Sequence, residues 1–415
     1  MTRLQRDLVR RRVWTAAVAI LATFVGATRA PSQSVPAQSV PSRIADSTFW
    51  RLMREYSEPW GTFRSENFVS NETSLQWVIP ELTRRIKPGG VYLGVAPDQN
   101  LTLIAALRPS IAFIVDIRHQ NAVQHLMYKA LFEMSKNRAE FLATLFARAP
   151  LTGVDTGSTV AALFDALAKQ PSDSARFRAN LRAINERLSR VHGFALSDSE
   201  RTSLSCVYGA FFTQGPDLTY GYSSECRNPG PYGNASGGFN GGAGGGPYRG
   251  GFRMPTYQGM LMESDSAGVN WSYLGSERTF RTIKEMEERN LIVPLTGNFA
   301  GEKALRSVGQ WSRDHRATVT AFYVSNVEQY LFQQDDEAQR FYRNVATLPI
   351  DSTSTFVRSY VGGRFSMDST LHFKPQSQAG GGRSLEGLSA IGEQLKLFSD
   401  GKLTSWNEVI RASHQ

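Results

Sequence analysis

The sequence has few of the residues that metal, nucleoside-triphosphate and nucleic-acid sites require. Its six histidines form no His-x-x-x-His pair, so the zinc motif of helical metalloproteases is absent. It has neither a Gly-Lys-Ser/Thr phosphate loop nor a Gly-x-Ser-x-Gly nucleophile elbow. The net charge is +9, but six arginines against one aspartate in residues 1–30 supply five of those charges, and no Lys/Arg run follows. We therefore expect no bound metal and no nucleic-acid partner.

The N-terminal residues have the order of a secretory signal peptide. Three arginines at 10–12 precede the uncharged stretch 13–27, and small residues flank Arg29. That stretch is shorter than the about 20 residues that a membrane-spanning helix needs. We expect a signal peptide over 1–30 and a Pro/Ser/Gln-rich linker over 31–43. The alternative is an uncleaved anchor; both place the body outside the cytoplasm, as a periplasmic or secreted protein, and cleavage leaves no stable membrane insertion.

Cysteine is scarce, with only Cys206 and Cys226 in the chain. In an oxidising compartment these two can form a disulfide, which the loop-entropy model values at roughly 3 kcal/mol. The alternative is two unpaired thiols. We expect the disulfide, because no other partner exists for either cysteine.

Short apolar runs separated by helical patterns predict an α/β fold. Runs at 91–95 and 111–116 enclose one short helix, and further runs lie at 291–296 and 318–324. This order favours a Rossmann-like, mostly parallel sheet with flanking helices. We expect one domain over 44–365, containing a large helical and Gly-rich insertion. The insertion covers about 150–277 with its Gly-rich loop at 228–251, and a C-terminal tail with short helices covers 366–415.

Ligands of parallel α/β sheets bind where the strands end at their carboxyl edge. A glycine bend with a helix start, and a carboxylate after the next strand, suit a nucleoside-type ligand. Asp98 is also a plain helix-capping candidate, and Asp116 can simply pair with Arg118. The candidate ligand-binding residues are Gly94, Asp98, Asn100, Asp116 and Asn298.

Four more polar residues stand out near these strands. Glu72 belongs to the polar cluster 66–72, which precedes the first strand and its helix. Ser325 and Glu328 have the spacing of a helix capping box. Tyr323 alternates with apolar neighbours and is expected in the core.

The strand–glycine–helix–strand–acid order resembles a class I S-adenosylmethionine-dependent methyltransferase. Tyr92-Leu93-Gly94-Val95-Ala96-Pro97-Asp98 lies where that family has its first glycine motif, although only Gly94 remains of its glycines. Asp116 lies at the position of its ribose-binding acid, and Asn298-Phe299 resembles its Asn-Pro-Pro-aromatic element. The stretches FRSENFVSNET, YLGVAPDQN, FIVDIRHQN, HLMYKALFEMS and PLTGNFAGEKALRSVGQW resemble a family of bacterial proteins of unknown function that carries this fold.

The resemblance implies S-adenosylmethionine as a cofactor and a methyltransferase-like activity, with no catalytic residue assigned. Together with the export signal, it leads us to expect an exported methyltransferase-like protein that binds a small, nucleoside-type ligand. The alternative is a non-enzymatic secreted or cell-envelope binding protein that keeps the fold as a scaffold. A third option is a hydrolase whose polar site matches none of the motifs above.

Overall fold

A six-stranded sheet forms the centre of the protein. The computed structural model describes residues 39–61, 63, 67–220, 254–361 and 384–413. The strand order is β3-β2-β1-β4-β5-β6; β1 to β5 are parallel and β6 is antiparallel to β5. The strands are β1 (Val91–Gly94), β2 (Ile111–Asp116), β3 (Ile292–Thr296), β4 (Val319–Ser325), β5 (Thr355–Val361) and β6 (Ser384–Ala390).

The predicted α/β class is confirmed. Every residue of β1, β2 and the edge strand β3 is buried, as expected for parallel strands with helices on both faces. Their apolar runs are short and continuous, so they bury surface on both sides of the sheet. Two strands were not predicted: β5, and β6 at the start of the segment interpreted as a tail.

Helices flank the sheet and lead into each strand. They are α1 (Asp46–Tyr56), α2 (Leu75–Arg85), α3 (Gln99–Leu107), α4 (His119–Met134), α10 (Glu277–Glu288), α11 (Ala304–Asp314), α12 (Val327–Leu331), α13 (Glu337–Val345), α14 (Ile391–Ser399) and α15 (Trp406–Ala412). Nearly all of α4 is buried, because it packs on β2 and β3 on one side and on α8 (Asp198–Gln214) and α10 on the other. A helix apolar on only one face would not tolerate that position.

The insertion between α4 and α10 is helical where the structure describes it. Its helices are α5 (Arg138–Leu145), α6 (Val160–Ala168), α7 (Ser174–Glu186), α8 (Asp198–Gln214) and α9 (Tyr257–Met262). The single helix predicted over about 120–147 is divided, because Asn137 caps a new helix with its side chain.

Several predictions lie outside the described residues. They are the signal peptide, most of the linker, the Gly-rich loop at 228–251, the segment 366–383 and Cys226. The disulfide therefore stays a prediction. Its other cysteine, Cys206, lies in α8. In the part of the chain that is described, no helix is long and apolar enough to cross a membrane.

Candidate functional site

The strand order reverses between β1 and β4. From β1 the chain proceeds outward through β2 and β3, whereas β4 and β5 lie on the other side. In open α/β sheets, such a switch point leaves a crevice at the carboxyl ends of the two strands. Gly94 ends β1 and Ser325 ends β4, so the loops that follow these residues are the expected borders of such a crevice.

Both bordering loops contain a non-glycine residue in the left-handed backbone region. Ala96 has φ 67° and Ser325 has φ 53°. Such a conformation costs an L-residue about 1–2 kcal/mol and persists only where surrounding contacts impose it. Strained backbone of this kind clusters at binding and catalytic sites. The described residues contain four more positive-φ residues of this kind elsewhere, so this feature adds to the evidence for a site at this edge only together with the polar groups described below.

Asn100 shapes the loop after β1. Its Nδ2 donates to the carbonyls of Val95, Ala96 and Pro97, each at 2.8 Å, and its Oδ1 accepts from the Tyr92 hydroxyl at 2.9 Å. The same Oδ1 fills the space beside Gly94, where an added Cβ would lie 1.9 Å from it. Gly94 is thus required by the Asn100 amide, and Asn100 positions the loop with its polar atoms already bonded.

Asp98 is buried and does not cap the helix that it precedes. It is only 4% exposed, and α3 has no side-chain cap at its N-terminus, so the capping interpretation was wrong. Burial raises the pKa of Asp98 to about 7, against the effect of backbone N–H groups that include that of Ser70. Within the described residues its Oδ1 has no hydrogen-bond partner. A buried carboxyl oxygen without a partner is unusual, and a ligand at this place is one explanation for it.

Asp116 is paired with Arg118. Its Oδ1 accepts from the backbone N–H of Arg118 at 2.8 Å and from Nε at 3.3 Å, and its Oδ2 accepts from Nη2 at 3.3 Å. Arg118 also contacts the carbonyl of Asn67. The carboxylate lies at the carboxyl end of β2 as the sequence predicts, with both oxygens directed to one guanidinium.

Asn298 lies apart from the other candidates. It follows β3, two strands away from β1, which is about 10 Å across the sheet. Its Oδ1 accepts from the backbone N–H of Ala300 at 2.9 Å, its own N–H donates to Glu58 and its Nδ2 to Glu337. These bonds build the turn into α11. The structure thus brings together Gly94, Asp98 and Asn100, and places Asp116 beside them, but it does not bring Asn298 to the crevice.

Glu72 is the residue that sequence reasoning underestimated. It is 3% exposed and accepts hydrogen bonds from the hydroxyls of Tyr323 and Ser325, at the end of β4. Burial raises its pKa, against the effect of these hydroxyls. The side chains that bond to its carboxyl group carry hydroxyls, and no cationic side chain lowers its pKa. Glu72 is therefore a carboxyl group placed at the switch point without a counter-ion among the described residues.

The predicted capping box of Ser325 and Glu328 is wrong. Ser325 donates to Glu72 instead, and α12 has no side-chain cap. Glu328 turns into the protein, where its Oε2 lies 2.5 Å from Nε of Arg358 and its Oε1 accepts from Tyr342 at 2.6 Å. Ser325 and Glu328 have the spacing of a capping box, but each bonds to residues far away in the sequence instead, and a local pattern does not show such bonds.

A polar row on α4 was also missed. Asn121 and His125 are 1% and 2% exposed and lie four residues apart, so they share one helix face. Neither side-chain atom of the Asn121 amide, nor Nδ1 of His125, has a hydrogen-bond partner among the described residues. Gln124, next to them, donates to the carbonyl of Phe68 at 2.7 Å. Polar side chains at helical spacing within a helix that is otherwise buried were the signal available in the sequence.

Residues 57–61 and 67–74 cover this edge of the sheet. Glu58 donates its N–H to the carbonyl of Thr296 at the end of β3, and Gly61 donates to that of Ile117 after β2. Further along, the carbonyls of Asn67 and Phe68 accept from Arg118 and Gln124. The covering segment thus meets each strand end in turn before Glu72 reaches β4. Two surface cavities of about 300 and 290 Å³ lie elsewhere, on the C-terminal helices.

A hydroxyl–imidazole–carboxylate line crosses the ends of β2 and β3. His119 places Nδ1 2.8 Å from Oγ1 of Thr296 and Nε2 2.9 Å from Oε1 of Glu200. Burial would raise the pKa of Glu200, but hydrogen bonds from His119 and Ser197 lower it to about 2. The order matches a nucleophile, base and orienting acid.

The surroundings of this line are those of a structural tie. Thr296 is 1% exposed, and the next two N–H groups, of Gly297 and Asn298, already donate to Asp116 and Glu58, so they offer no oxyanion site. Arg54 also binds Glu200 at 2.8 Å. The line connects α1, α4 and α8 to β3. No group of three or more metal-ligating side chains exists in the described ranges.

Comparison with known proteins returns one family. No functionally curated protein matches the chain. A family model described as a domain of unknown function, DUF7790, matches residues 67–205 and 254–389. The matched segments include the loop after β1, Asp116, the α4 row and both strands of the switch point, and the gap between them contains the Gly-rich loop. Because the match covers more than half of the chain, the protein belongs to the DUF7790 family.

Proposed function

We propose that the protein is exported and binds a small, nucleoside-type ligand at the carboxyl ends of β1, β2 and β4. The observation that carries this proposal is the pair of buried carboxyl groups at the switch point, Glu72 and Asp98, neither of which is influenced by a cationic side chain among the described residues. Buried carboxyl groups are costly unless paired, and strongly perturbed ones concentrate at functional sites.

The position of each acid supports a ligand with hydroxyl and donor groups. Asp116 stands after β2, where a carboxylate suits the two hydroxyls of a ribose. Asp98 and Glu72 stand on either side of the switch point, next to Ala96 and Ser325. The Rossmann-like order of the strands supports the same ligand class.

S-Adenosylmethionine is the first candidate, and it fits this site in part. The acids after β1 and β2 suit a ribose and a cationic sulfonium or amine, and the cofactor would supply an electrophilic methyl group. The loop after β1 fits less well, because Asn100 draws three of its carbonyls inward and Pro97 has no N–H. We assign no catalytic residue and no reaction step.

The second candidate is a non-enzymatic binding protein of the cell envelope or the medium. It is favoured by the pairing of Asp116 with Arg118 and by the filling of the space beside Gly94 by Asn100. In this case the fold holds a ligand and transfers nothing. The two candidates share the binding site and differ in turnover.

The test is thermal unfolding and calorimetry of the purified chain with S-adenosylmethionine and S-adenosylhomocysteine. A ligand at 100 times its dissociation constant stabilises the fold by about 2.7 kcal/mol. We expect stabilisation in the parent chain and its loss in Asp116→Ala. Asp165→Asn, on the exposed face of α6, is the matched control and should keep it. No response to either compound, or to adenosine, at millimolar concentration would rule out the nucleoside-type site.

Methyl transfer separates the two candidates. Release of S-adenosylhomocysteine in the presence of a methyl acceptor would support an enzyme. Binding of both compounds with no release over hours, across a panel of amine, hydroxyl and carboxyl acceptors, would support the binding protein.

A further inference from the structure

The α4 row and Asp98 present unsatisfied polar atoms to the same part of the protein. Ala96 connects them, because its carbonyl lies 3.1 Å from Nε2 of His125 and Asp98 is two residues further on. Tyr128, one turn after His125 on the same face, lies 6.3 Å from that imidazole between ring centroids. The charge of Asp98 also acts on Tyr128, so the row and the carboxyl group are neighbours.

The chemistry of each atom can be assigned. A carbonyl oxygen only accepts, so Nε2 of His125 carries the hydrogen and Nδ1 has a free lone pair. Burial lowers the pKa of His125 to about 4, which keeps the ring neutral at pH 7. Oδ1 of Asp98 and Oδ1 of Asn121 are acceptors as well, and all three lack partners among the described residues. Nδ2 of Asn121 and the hydroxyl of Tyr128 are the donors without partners in this part of the described structure.

The groups that face Asp98 carry no positive charge. Burial raises the pKa values of the phenols of Tyr128, Tyr257 and Tyr273, which are close enough for the charge of Asp98 to raise them further. The hydroxyls of Tyr257 and Tyr273 lie 2.5 Å apart and bond to each other. The acceptors therefore lie in a buried, neutral setting. A buried polar atom left without a partner destabilises the fold, and a ligand that bonds to it would recover that free energy.

We propose that Asp98, Asn121 and His125 bind the protonated amine of the ligand. An ammonium group offers three donors and no acceptor, which matches three acceptor atoms with free lone pairs. A carboxylate beside it supplies the counter-charge in a region where charge-assisted hydrogen bonds are strong. This inference rests on the proposed small-ligand site and adds to it the chemical group that the α4 side of the site selects.

The experiment compares two nucleosides that differ in one group, adenosine and 5′-amino-5′-deoxyadenosine, by calorimetry on the full chain. We expect the amine to bind on the order of tenfold more tightly at pH 8, as one charge-assisted hydrogen bond would give. Asp98→Asn should reduce that preference to about twofold or less. His125→Gln keeps a donor toward Ala96 but removes the Nδ1 acceptor, and it should reduce the preference as well. Asp165→Asn should leave it unchanged.

Two further ligands separate the possible failures. Butylamine and butan-1-ol are compared in the same thermal-unfolding assay, without a nucleoside. Stabilisation by butylamine alone, lost in Asp98→Asn, supports the amine subsite even if no nucleoside binds. Equal affinities for the two nucleosides overturn the amine subsite and leave the proposed function standing. No response to any of the four compounds overturns both.

Discussion

Two buried polar regions of this protein differ in whether their groups are paired. Around β5, Glu328 and Arg358 are 1% and 0% exposed, and both carboxylate oxygens accept from the guanidinium, at 2.5 and 3.1 Å. Burial opposes the charge of Arg358, but Glu328 outweighs it and raises the pKa of the guanidinium. Around the loop after β1, Asp98 and His125 are as buried, yet each has an atom with no partner among the described residues.

The difference distinguishes polar groups that hold the fold from polar groups kept for another purpose. A buried ion pair whose bonds are complete has its desolvation largely offset, and it fixes how β5, α12 and α13 meet. A buried acceptor with no donor contributes nothing to the fold and costs free energy. Among the described residues, the loop after β1 and the α4 row are therefore one part of the core where unpaired polar groups lower the stability of the unliganded protein.

The largest expected effect comes from leaving a charge unpaired in the first region. Glu328→Ala should lower the free energy of unfolding by about 3–5 kcal/mol, because it leaves the Arg358 guanidinium buried alone. Urea denaturation measures this. The double variant Glu328→Leu, Arg358→Met should recover most of the loss. A loss below about 1 kcal/mol in the single variant would contradict the pairing argument.

The second effect concerns pH and the unpaired region. The pKa of Asp98 is about 7 in the folded protein against a reference of 3.8. Between these values the unfolded chain has released a proton that the native state still holds, so the free energy of unfolding falls as pH rises. Over this interval the fall due to Asp98 should reach about 4 kcal/mol. Below about pH 4 both states are protonated, and the difference vanishes.

Asp98→Asn should remove that part of the pH dependence. Denaturation curves at pH 4 to 8 for the parent, Asp98→Asn and the control Asp165→Asn measure it. The control should follow the parent, since Asp165 is exposed. Parallel curves for all three would mean that Asp98 is ionised in the folded protein, and the contrast between the two regions would fail.

The smallest expected effect tests the strained loop directly. Ala96→Gly should raise the free energy of unfolding by up to about 1 kcal/mol or leave it unchanged, because glycine adopts φ 67° without the steric cost. Ala179→Gly, at an exposed position in the middle of α7, should instead cost about 1 kcal/mol. Thermal unfolding of both variants decides. Equal losses in the two would show that Ala96 is not strained.

Much of the scaffold could be predicted from local patterns. The runs at 91–95, 111–116, 291–296 and 318–324 are strands because a buried parallel strand is apolar on both faces. The position of Gly94 and Asp116 at the carboxyl edge followed from the same runs. β5 escaped detection because polar residues interrupt it: Ser359 and Arg358 are buried in the strand through partners elsewhere in the chain.

The candidate site was only partly predictable. Its acids were visible as residues, but their roles were not. The sequence suggested that Asp98 caps a helix, but the structure shows a buried carboxyl group with no capping bond. It suggested that Asn100 contacts a ligand, but its side chain bonds to the loop after β1. The unpaired atoms of Asn121 and His125 depend on which loops cover α4.

By itself, the sequence determined the periodic features: the short apolar strands, the helices between them and the edge at which polar residues leave the sheet. These depend on neighbours within a few residues, which a pattern records. Only the tertiary structure decided which polar groups meet. Glu72 and Ser325 are 253 positions apart, and no local pattern specifies their bond. The strand order decides which of these residues meet when the chain folds and loses water from its interior. Some of the buried polar groups then form ion pairs, and others are left without a partner.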